Sequence, residues 1–392
     1  MKKKLTFRKL MAVLTIFILF LMFGSSSIIA VGEGYGEELN QTVIDQINKL
    51  DLQALQDYVD SLDDFSKGSI AERLLEYINA TPMDYDTFFA GIMEIFLGRT
   101  RKLVPIFATI AAITLLCGIV TSLRSNFLSY GSGETVFFAC YLSVLIPILA
   151  VVIECFSASK ACVLEMQKQM QIIFPIMLTL MATSGGSVSA AIYRPAVAFL
   201  SNAIVSLICD IIFPLTLTII AFTIIGNLLK ELNIERFTSF FKSINKWIIG
   251  VSVSVFGLFF TLQGLTAASY DGIARRAAKY AIGTGVPIVG GFLSGGFDLA
   301  IAGSILIKNS LGTMSVFLLL FVLLEPILLL IASNTLLRLT AAVTQPIGDG
   351  RISNFLTATA DNLNYCVAGV LFVSFLYFIS IILISCSAEM FL

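Results

Sequence analysis

The chain of 392 residues contains no histidine. Histidine is the usual general base of hydrolases and a common zinc ligand, so its absence excludes every Ser-His or Cys-His catalytic arrangement. The seven cysteines form no CxxC pair, and the chain has no GxxxxGK[ST] phosphate-binding loop. We therefore predict that the protein is not an enzyme and holds no metal or cofactor. Its cysteines are predicted to pack as small hydrophobic side chains rather than to form disulfides.

Charged residues are also scarce. They make up 13% of the chain, against 57% hydrophobic residues, and the mean hydropathy is +0.92. A single soluble core cannot hide so much apolar surface, and lysine and arginine occur mostly in short groups at the ends of apolar runs. No basic stripe is long enough to follow a nucleic acid. The predicted fold class is all-α: a polytopic helical membrane protein in a lipid bilayer, with a small N-terminal helical ectodomain.

The N-terminus has the pattern of an export signal. Basic "MKKKLTFRK" precedes an apolar run at residues 10–23 and the small residues "GSSSIIA". Residues 1–30 are therefore predicted to be a signal peptide cleaved after Ala30, or alternatively an uncleaved anchor. Residues 31–98 repeat apolar positions at helical spacing between acids and amides. This stretch predicts an acidic helical extracytoplasmic domain, which is either a solvated cap or a docking surface for a partner.

Residues 99–392 contain a series of apolar runs. A helix needs about 20 residues to cross the hydrocarbon core. The run at 195–229 is too long for one crossing, and Asp210 and Pro214 near its middle allow a tight hairpin. We therefore predict eight spans, or nine with the hairpin. The runs are 103–122, 136–156, 172–192, 195–229, 247–266, 283–304, 313–333 and 364–386.

Two of these runs are interrupted by glycine pairs. Ser184-Gly185-Gly186 lies in 172–192, and Ser294-Gly295-Gly296 lies in 283–304. In lipid, broken backbone persists only where protein or a water-filled cavity satisfies it. These six residues are therefore predicted to break helices and line a path, as in transporters with discontinuous helices. The alternative is that the small residues let two helices approach closely.

Carboxylates inside apolar runs are further candidates for lining a path, because a carboxylate that faces lipid is costly. Asp298 follows the second glycine pair, and Glu325 lies deep in "LLLFVLLEPILLLI". The alternative for Glu325 is an interhelical hydrogen bond in the protonated form. Arg194, just before Pro195, is predicted to reach the interface where the broken segment ends.

Residues 263–282 form an amphipathic segment. Asp271, Arg275 and Lys279 recur every four residues on one helical face, with Arg276 beside them. This face is predicted to contact the membrane interface or a partner, or else to be a simple connector. Residues 334–363 are predicted to be a second connector, broken at Gln345-Pro346 and at Gly348-Asp349-Gly350.

Three stretches carry a family resemblance: "LMATSGGSVSAAIYRPAVAFL", "LQGLTAASYDGIARRAAKY" and "VTQPIGDG". Together they resemble the stage III sporulation protein AE family, SpoIIIAE, over most of residues 103–392. The resemblance implies a subunit of the eight-member stage III sporulation A assembly in the mother-cell membrane around the engulfed forespore. It also implies partners among the other stage III sporulation A proteins and, through them, the forespore protein SpoIIQ. No catalytic residues are implied, since ATP hydrolysis belongs to a different subunit.

Three hypotheses follow. The first is a membrane-embedded conduit or export subunit whose broken segments line a path. The second is a non-conducting scaffold that assembles the complex. The third, an intramembrane enzyme using Ser184 or Ser294, is disfavoured because there is no histidine and no lysine deep within a predicted span to activate a serine.

Overall fold

The protein is all-α, as predicted. A computed structural model describes residues 36–62, 69–78, 85–124, 131–229, 234–285, 290–346 and 350–386, and these segments contain helices and no strand. The predicted signal at 1–30 lies outside the described residues. In chain order the helices are α1 (Gly36–Lys49), α2 (Gln53–Asp60), α3 (Ile70–Ile78), α4 (Tyr85–Arg124), α5 (Gly131–Thr183), α6 (Ser187–Ser206), a π-helical segment (Leu207–Ile212), α7 (Phe213–Leu228), α8 (Glu235–Gly285), α9 (Gly290–Thr344) and α10 (Gly350–Cys386).

Five stretches of the described chain are long and apolar enough to cross a membrane, which supports a multi-pass protein. They are Phe96–Val120, Thr135–Thr183, Ser187–Leu228, Leu299–Thr344 and Gly350–Cys386.

The division into eight or nine separate runs does not match these helices. Helix α5 has 53 residues and is about 80 Å long, more than twice the hydrocarbon thickness. It joins the predicted spans 136–156 and 172–192 as far as Thr183, and α9 joins 283–304 from Gly290 onward to 313–333. The polar stretch 157–171 lies between two predicted spans, yet it contains no glycine or proline to end a helix. Its residues are mostly good helix formers, so the helix continues through it.

The predicted hairpin near Asp210 and Pro214 is wrong. The chain continues from α6 through the π-helical segment Leu207–Ile212 into α7, where Pro214 occupies the first turn. Proline inside an α-helix lacks a donor, and its ring clashes with the carbonyl four residues earlier. A π turn widens the helix at this point, which relieves that clash without reversing the chain.

Helix α9 is the centre of the architecture, packing against α10, α5, α4, α8 and the N-terminal helices α1 and α3. The Cys162 thiol lies 3.6 Å from the Val322 carbonyl, and Gln169 Nε2 donates to the Leu318 carbonyl at 3.1 Å. The numbers rise on α5 as they fall on α9, so the two helices are antiparallel.

The N-terminal helices pack directly on the long helices. Leu39, Val43 and Ile47 of α1 are buried at four-residue spacing, as the helical pattern predicted. Gln46 Nε2 donates to the Ala300 carbonyl of α9 at 2.9 Å. On α2, the Tyr58 hydroxyl accepts a hydrogen bond from Gln169 Nε2 of α5 at 2.8 Å. These contacts fix α1 and α2 against the middle of the bundle.

Two cysteines depart from the predicted packing role. Cys117 of α4 and Cys140 of α5 form a disulfide, with their Cα atoms 5.9 Å apart. The two positions meet because α4 and α5 form a helical hairpin, and spacing along the chain carries no sign of that pairing. Cys155, Cys162 and Cys366 are free and buried, as predicted.

Candidate functional site

The chain turns at Ser184-Gly185-Gly186. Gly185 has φ 92°, in the left-handed region that favours glycine. The Gly186 amide donates to the Met181 carbonyl at 2.9 Å, and the Gly185 amide donates to the Ala182 carbonyl at 3.2 Å. This pair of bonds is a Schellman motif, which satisfies the last carbonyls of α5 before α6 begins at Ser187. The helix therefore ends without leaving these carbonyls unpaired.

Side-chain hydrogen bonds tie this turn to two other helices. Thr183 Oγ1 lies 3.2 Å from Ser304 Oγ of α9, and Ser304 Oγ lies 3.2 Å from Gln46 Oε1 of α1. Ser184 is buried, and its hydroxyl donates to the Met181 carbonyl at 2.9 Å. A polar chain therefore runs from the end of α5 through α9 to the N-terminal module, which we define as α1–α3.

Lys308 is a buried lysine that the sequence did not single out. It lies on α9 within the candidate span Leu299–Thr344 and is fully buried. Lys308 falls between the predicted spans 283–304 and 313–333, but the helix is continuous there, so a lysine does lie deep within a candidate span. Ser304 is one turn away on α9, but its hydroxyl donates to the Ala300 carbonyl at 2.9 Å.

The second glycine pair does not interrupt a helix. Ser294-Gly295-Gly296 lies within the helical backbone of α9, so the predicted break at this position is wrong. Glycine in a helix costs only about 1 kcal/mol relative to alanine, which a long and well-packed helix tolerates. Asp298 is on the same helix. The side chains of residues 262–298 lie outside the described part of the structure.

The side chains of the predicted interface residues also lie outside the described part of the structure. Their backbone is helical and belongs to α8; the residues are Asp271, Arg275, Arg276 and Lys279. Arg194 is described, and it is exposed on α6.

Glu325 forms an ion pair that the sequence analysis did not predict. Its carboxylate pairs with the guanidinium of Arg99 on α4, and its side chain is 54% exposed. Glu325 is therefore neither deeply buried nor in the predicted protonated hydrogen bond. The pair links α4 to α9.

A cluster of hydrogen-bonded polar side chains between α9 and α10 was not predicted, because the sequence pattern of residues 334–363 indicated a connector. Arg338 Nη2 donates to Asp361 Oδ1 at 2.6 Å, and Arg338 Nε donates to Asn334 Oδ1 at 2.8 Å. Asn334 Nδ2 donates to Asn364 Oδ1 at 3.1 Å. The spacing 334/338 and 361/364 places each pair on one helical face, and this spacing could have predicted a polar cluster here. An ion pair inside candidate spans marks a functional position by default.

The outward surface of α5 changes character along the helix. At its start it exposes the large apolar side chains Phe138, Leu142, Ile146 and Ile153, and Ile146 is 71% exposed. From Lys160 to Ala182 the exposed residues are Lys160, Ala161, Leu164, Lys168, Gln171, Pro175, Thr179 and Ala182.

Helix α6 continues this surface. Among its described side chains it exposes Arg194, Asn202 and Ser206, together with the large apolar Phe199. Gln167 Nε2 of α5 donates to Asn202 Oδ1 of α6 at 2.9 Å. We call the exposed residues of 160–206 the polar face.

Tyr58 anchors α2 beneath the polar face. It is almost fully buried, and the Lys168 Nζ lies 5.0 Å from its ring centroid. Burial raises the pKa of Tyr58 from its ordinary 10.0 to about 12. Burial favours the neutral phenol, so this contribution to stability is complete below pH 10 and is lost as the pH rises through about 12.

We therefore expect the melting temperature of the wild type to fall more steeply between pH 10 and pH 12 than that of Tyr58→Phe. At neutral pH the variant should be less stable by about 1 kcal/mol, because it lacks the Gln169 bond. Thermal unfolding of both proteins across this pH range measures the difference. Parallel curves for the two proteins would contradict the assignment of Tyr58.

Comparisons with known proteins agree on one family. The model of the family described as Stage III sporulation protein AE matches residues 69–388. Stage III sporulation protein AE of Bacillus subtilis (strain 168) is 25% identical over 345 residues, which cover 87% of this chain and 84% of that protein. No solved structure matches the chain. A family match over this much of the sequence, on an all-α chain with five candidate spans, shows that the protein belongs to the stage III sporulation protein AE family.

Proposed function

We propose that the protein is a membrane-embedded conduit or export subunit of the stage III sporulation A assembly, required for endospore formation. Family membership supports the role in sporulation. The observation that carries the conduit is the polar face of α5 and α6. It lies on helices long and apolar enough to span a membrane, yet it exposes lysines, amides and an arginine.

The physical argument rests on the contrast along α5. Ile146 and Ile153 are exposed on its first half, as lipid contact requires. Lys168 and Gln171 are exposed on its second half. Polar groups of this kind need water or a polar partner, because lipid cannot satisfy them. A water-filled path bordered by the polar face meets that need, and the turn at Gly185 closes its far end.

The surroundings of this conduit are also part of the proposal. The chain works in the mother-cell membrane around the forespore, beside the other stage III sporulation A proteins and, through them, SpoIIQ. As part of the same proposal, the N-terminal module α1–α3 faces the space between the two cells and meets extracytoplasmic partners there.

Substitution of the turn tests the proposal in sporulating cells. Replacing Gly185 and Gly186 with leucine, and separately Glu325 with alanine, should abolish heat-resistant spores while the protein stays in the membrane. Leucine at Gly185 must adopt φ 92°, which costs roughly 1–2 kcal/mol and misdirects α6. Gly250→Leu is the matched control, since a side chain there meets nothing within 4 Å. Full sporulation in both variants would contradict the proposed conduit.

The scaffold is the second candidate, and it is favoured by the docking of α1–α3 on α5 and α9. Single cysteines labelled with a membrane-impermeant maleimide in a cysteine-free background separate the two functions. A conduit predicts fast labelling at Gln171, Thr179 and Asn202 and slow labelling at Ile146 and Ile153. Equally slow labelling at all five positions would favour the scaffold.

A further inference from the structure

Helix α7 carries two polar side chains on a buried face that is otherwise apolar. Thr216 and Thr223 are both buried, and they lie seven residues apart. Asn245 Nδ2 of α8 donates to Thr216 Oγ1 at 2.9 Å. Asn362 Nδ2 of α10 donates to Thr223 Oγ1 at 3.0 Å. The Thr216 hydroxyl in turn donates to the Ile212 carbonyl of the π-helical segment, and the Thr223 hydroxyl donates to the Ile219 carbonyl of α7, both at 2.7 Å.

Three buried polar atoms at this interface lack a hydrogen-bond partner within the described ranges. They are Asn362 Oδ1, Thr359 Oγ1 and Asn245 Oδ1, and each residue is 0% exposed. An unmet buried polar group costs about 1–3 kcal/mol, and native proteins leave very few of them. Two of the three lie one turn apart on α10.

Thr359 and Asn362 lie on the same face of α10. Phe355, Thr359, Asn362, Cys366 and Gly369 are spaced by four, three, four and three residues, which places them along one helical face. The ends of this face contact neighbouring helices: the Phe355 ring lies 5.2 Å from the Tyr141 ring of α5, and a side chain at Gly369 would meet Phe213 of α7. The Tyr141 hydroxyl donates to the Ile224 carbonyl, beside Thr223.

Turning the Asn362 amide over does not remove the unmet group. Its oxygen would then face Thr223 Oγ1, whose proton is already donated to the Ile219 carbonyl. The amide nitrogen would take the unpaired position instead. Partners for Asn362 Oδ1 and for the Thr359 hydroxyl must therefore come from outside the described side chains, and the partner of Asn362 Oδ1 must be a donor.

We propose that this interface binds a buried water molecule, which donates to Asn362 Oδ1 and accepts from the Thr359 hydroxyl. Water is the ligand whose size and mixed donor and acceptor character fit the pair. A cation fits less well, because the nearest carboxylate on α10, Asp361, is paired with Arg338. The site does not depend on the conduit, since either a path or a scaffold can hold it.

Asn245 Oδ1 marks a second place of the same kind. It lies beside Thr216, seven residues from Thr223 and therefore about 10 Å along α7. The buried residues Ile219 and Ile220 lie between the two threonines. The unmet oxygen of Asn245 is therefore separate from the site at Asn362 and Thr359.

X-ray hydroxyl-radical footprinting of the full chain in lipid nanodiscs tests the proposal. Radicals formed from a bound water oxidise adjacent side chains even when these are buried. We expect Tyr141 and Phe355 to be oxidised several-fold faster than Phe107 of α4, which is 3% exposed. Oxidation of Tyr141 and Phe355 no faster than that of Phe107 would overturn the site.

Three variants sharpen the result. Asn362→Leu and, separately, Thr359→Val should lower the oxidation of Tyr141 and Phe355 to the level of Phe107. Thr357→Val is the matched control, because its hydroxyl donates within α10 to the Ser353 carbonyl at 3.0 Å. If Asn362→Leu fails to fold, Thr359→Val carries the test alone. Unchanged oxidation in Thr359→Val would reject the proposal.

Discussion

Asp361→Leu is expected to destabilise the protein by about 3 kcal/mol, because it leaves the Arg338 guanidinium without its carboxylate inside two candidate spans. The two side chains are 36% and 31% exposed, so we expect the lower end of the range for breaking a buried pair. Asn334 accepts from Arg338 Nε but carries no charge to replace the carboxylate. The midpoint of chemical or thermal unfolding in detergent measures the loss.

The double variant Arg338→Met with Asp361→Leu provides the control. It removes both charges, so we expect it to be clearly more stable than Asp361→Leu alone. Glu325→Ala is a second comparison and should cost less than about 1 kcal/mol, because that pair is more exposed. Equal stabilities for the single and double variants would show that the guanidinium is not stranded by the loss of Asp361.

Gly312→Leu is expected to destabilise the protein about as much as Asp361→Leu does. A Cβ at Gly312 of α9 would lie 2.6 Å from Ser385 Oγ of α10 and 3.5 Å from Met177 Cε of α5. Leucine would therefore push apart three helices that meet at this glycine. Overpacking of this kind costs about 1–3 kcal/mol and sometimes more. Gly312→Ala should cost less, since the Ser385 hydroxyl can rotate away.

Gly226→Leu is the matched control for the overpacking prediction. A side chain at Gly226 of α7 meets nothing within 4 Å, so the change should be neutral or slightly stabilising through its helix propensity. Melting temperatures of the two leucine variants should therefore differ clearly. Similar values would mean that α9, α10 and α5 do not approach closely at Gly312.

The helical class and the turn at Gly185 were readable from sequence for a physical reason. Mean hydropathy indicates how much of the surface must contact lipid, and this predicts the class. A glycine pair followed by a serine and a new apolar run is a strong local signal for the end of a helix, and this predicts the turn. The same local signal misled at Gly295-Gly296. A glycine pair breaks a helix only where packing against neighbouring helices does not stabilise the continuous helix. A sequence does not show which helices are neighbours.

Longer-range features were beyond sequence reasoning for the same reason. The partner of Glu325 is Arg99, and the partner of Cys117 is Cys140. Hydropathy alone also cannot distinguish a loop from a polar helix, so it does not reveal that α5 continues through residues 157–171 between two predicted spans. Arg338 and Asp361 belong to helices that the sequence pattern had assigned to a connector.

The docking of the N-terminal module on α9 has a consequence for biosynthesis. Gln46 finds its carbonyl partner Ala300 only 254 residues later in the chain, which takes a ribosome roughly 10–50 s to add. Until then the apolar face of α1, with Leu39, Val43 and Ile47, has no native partner on α9. The module therefore reaches its final position on α9 only after most of the long helices have been synthesised.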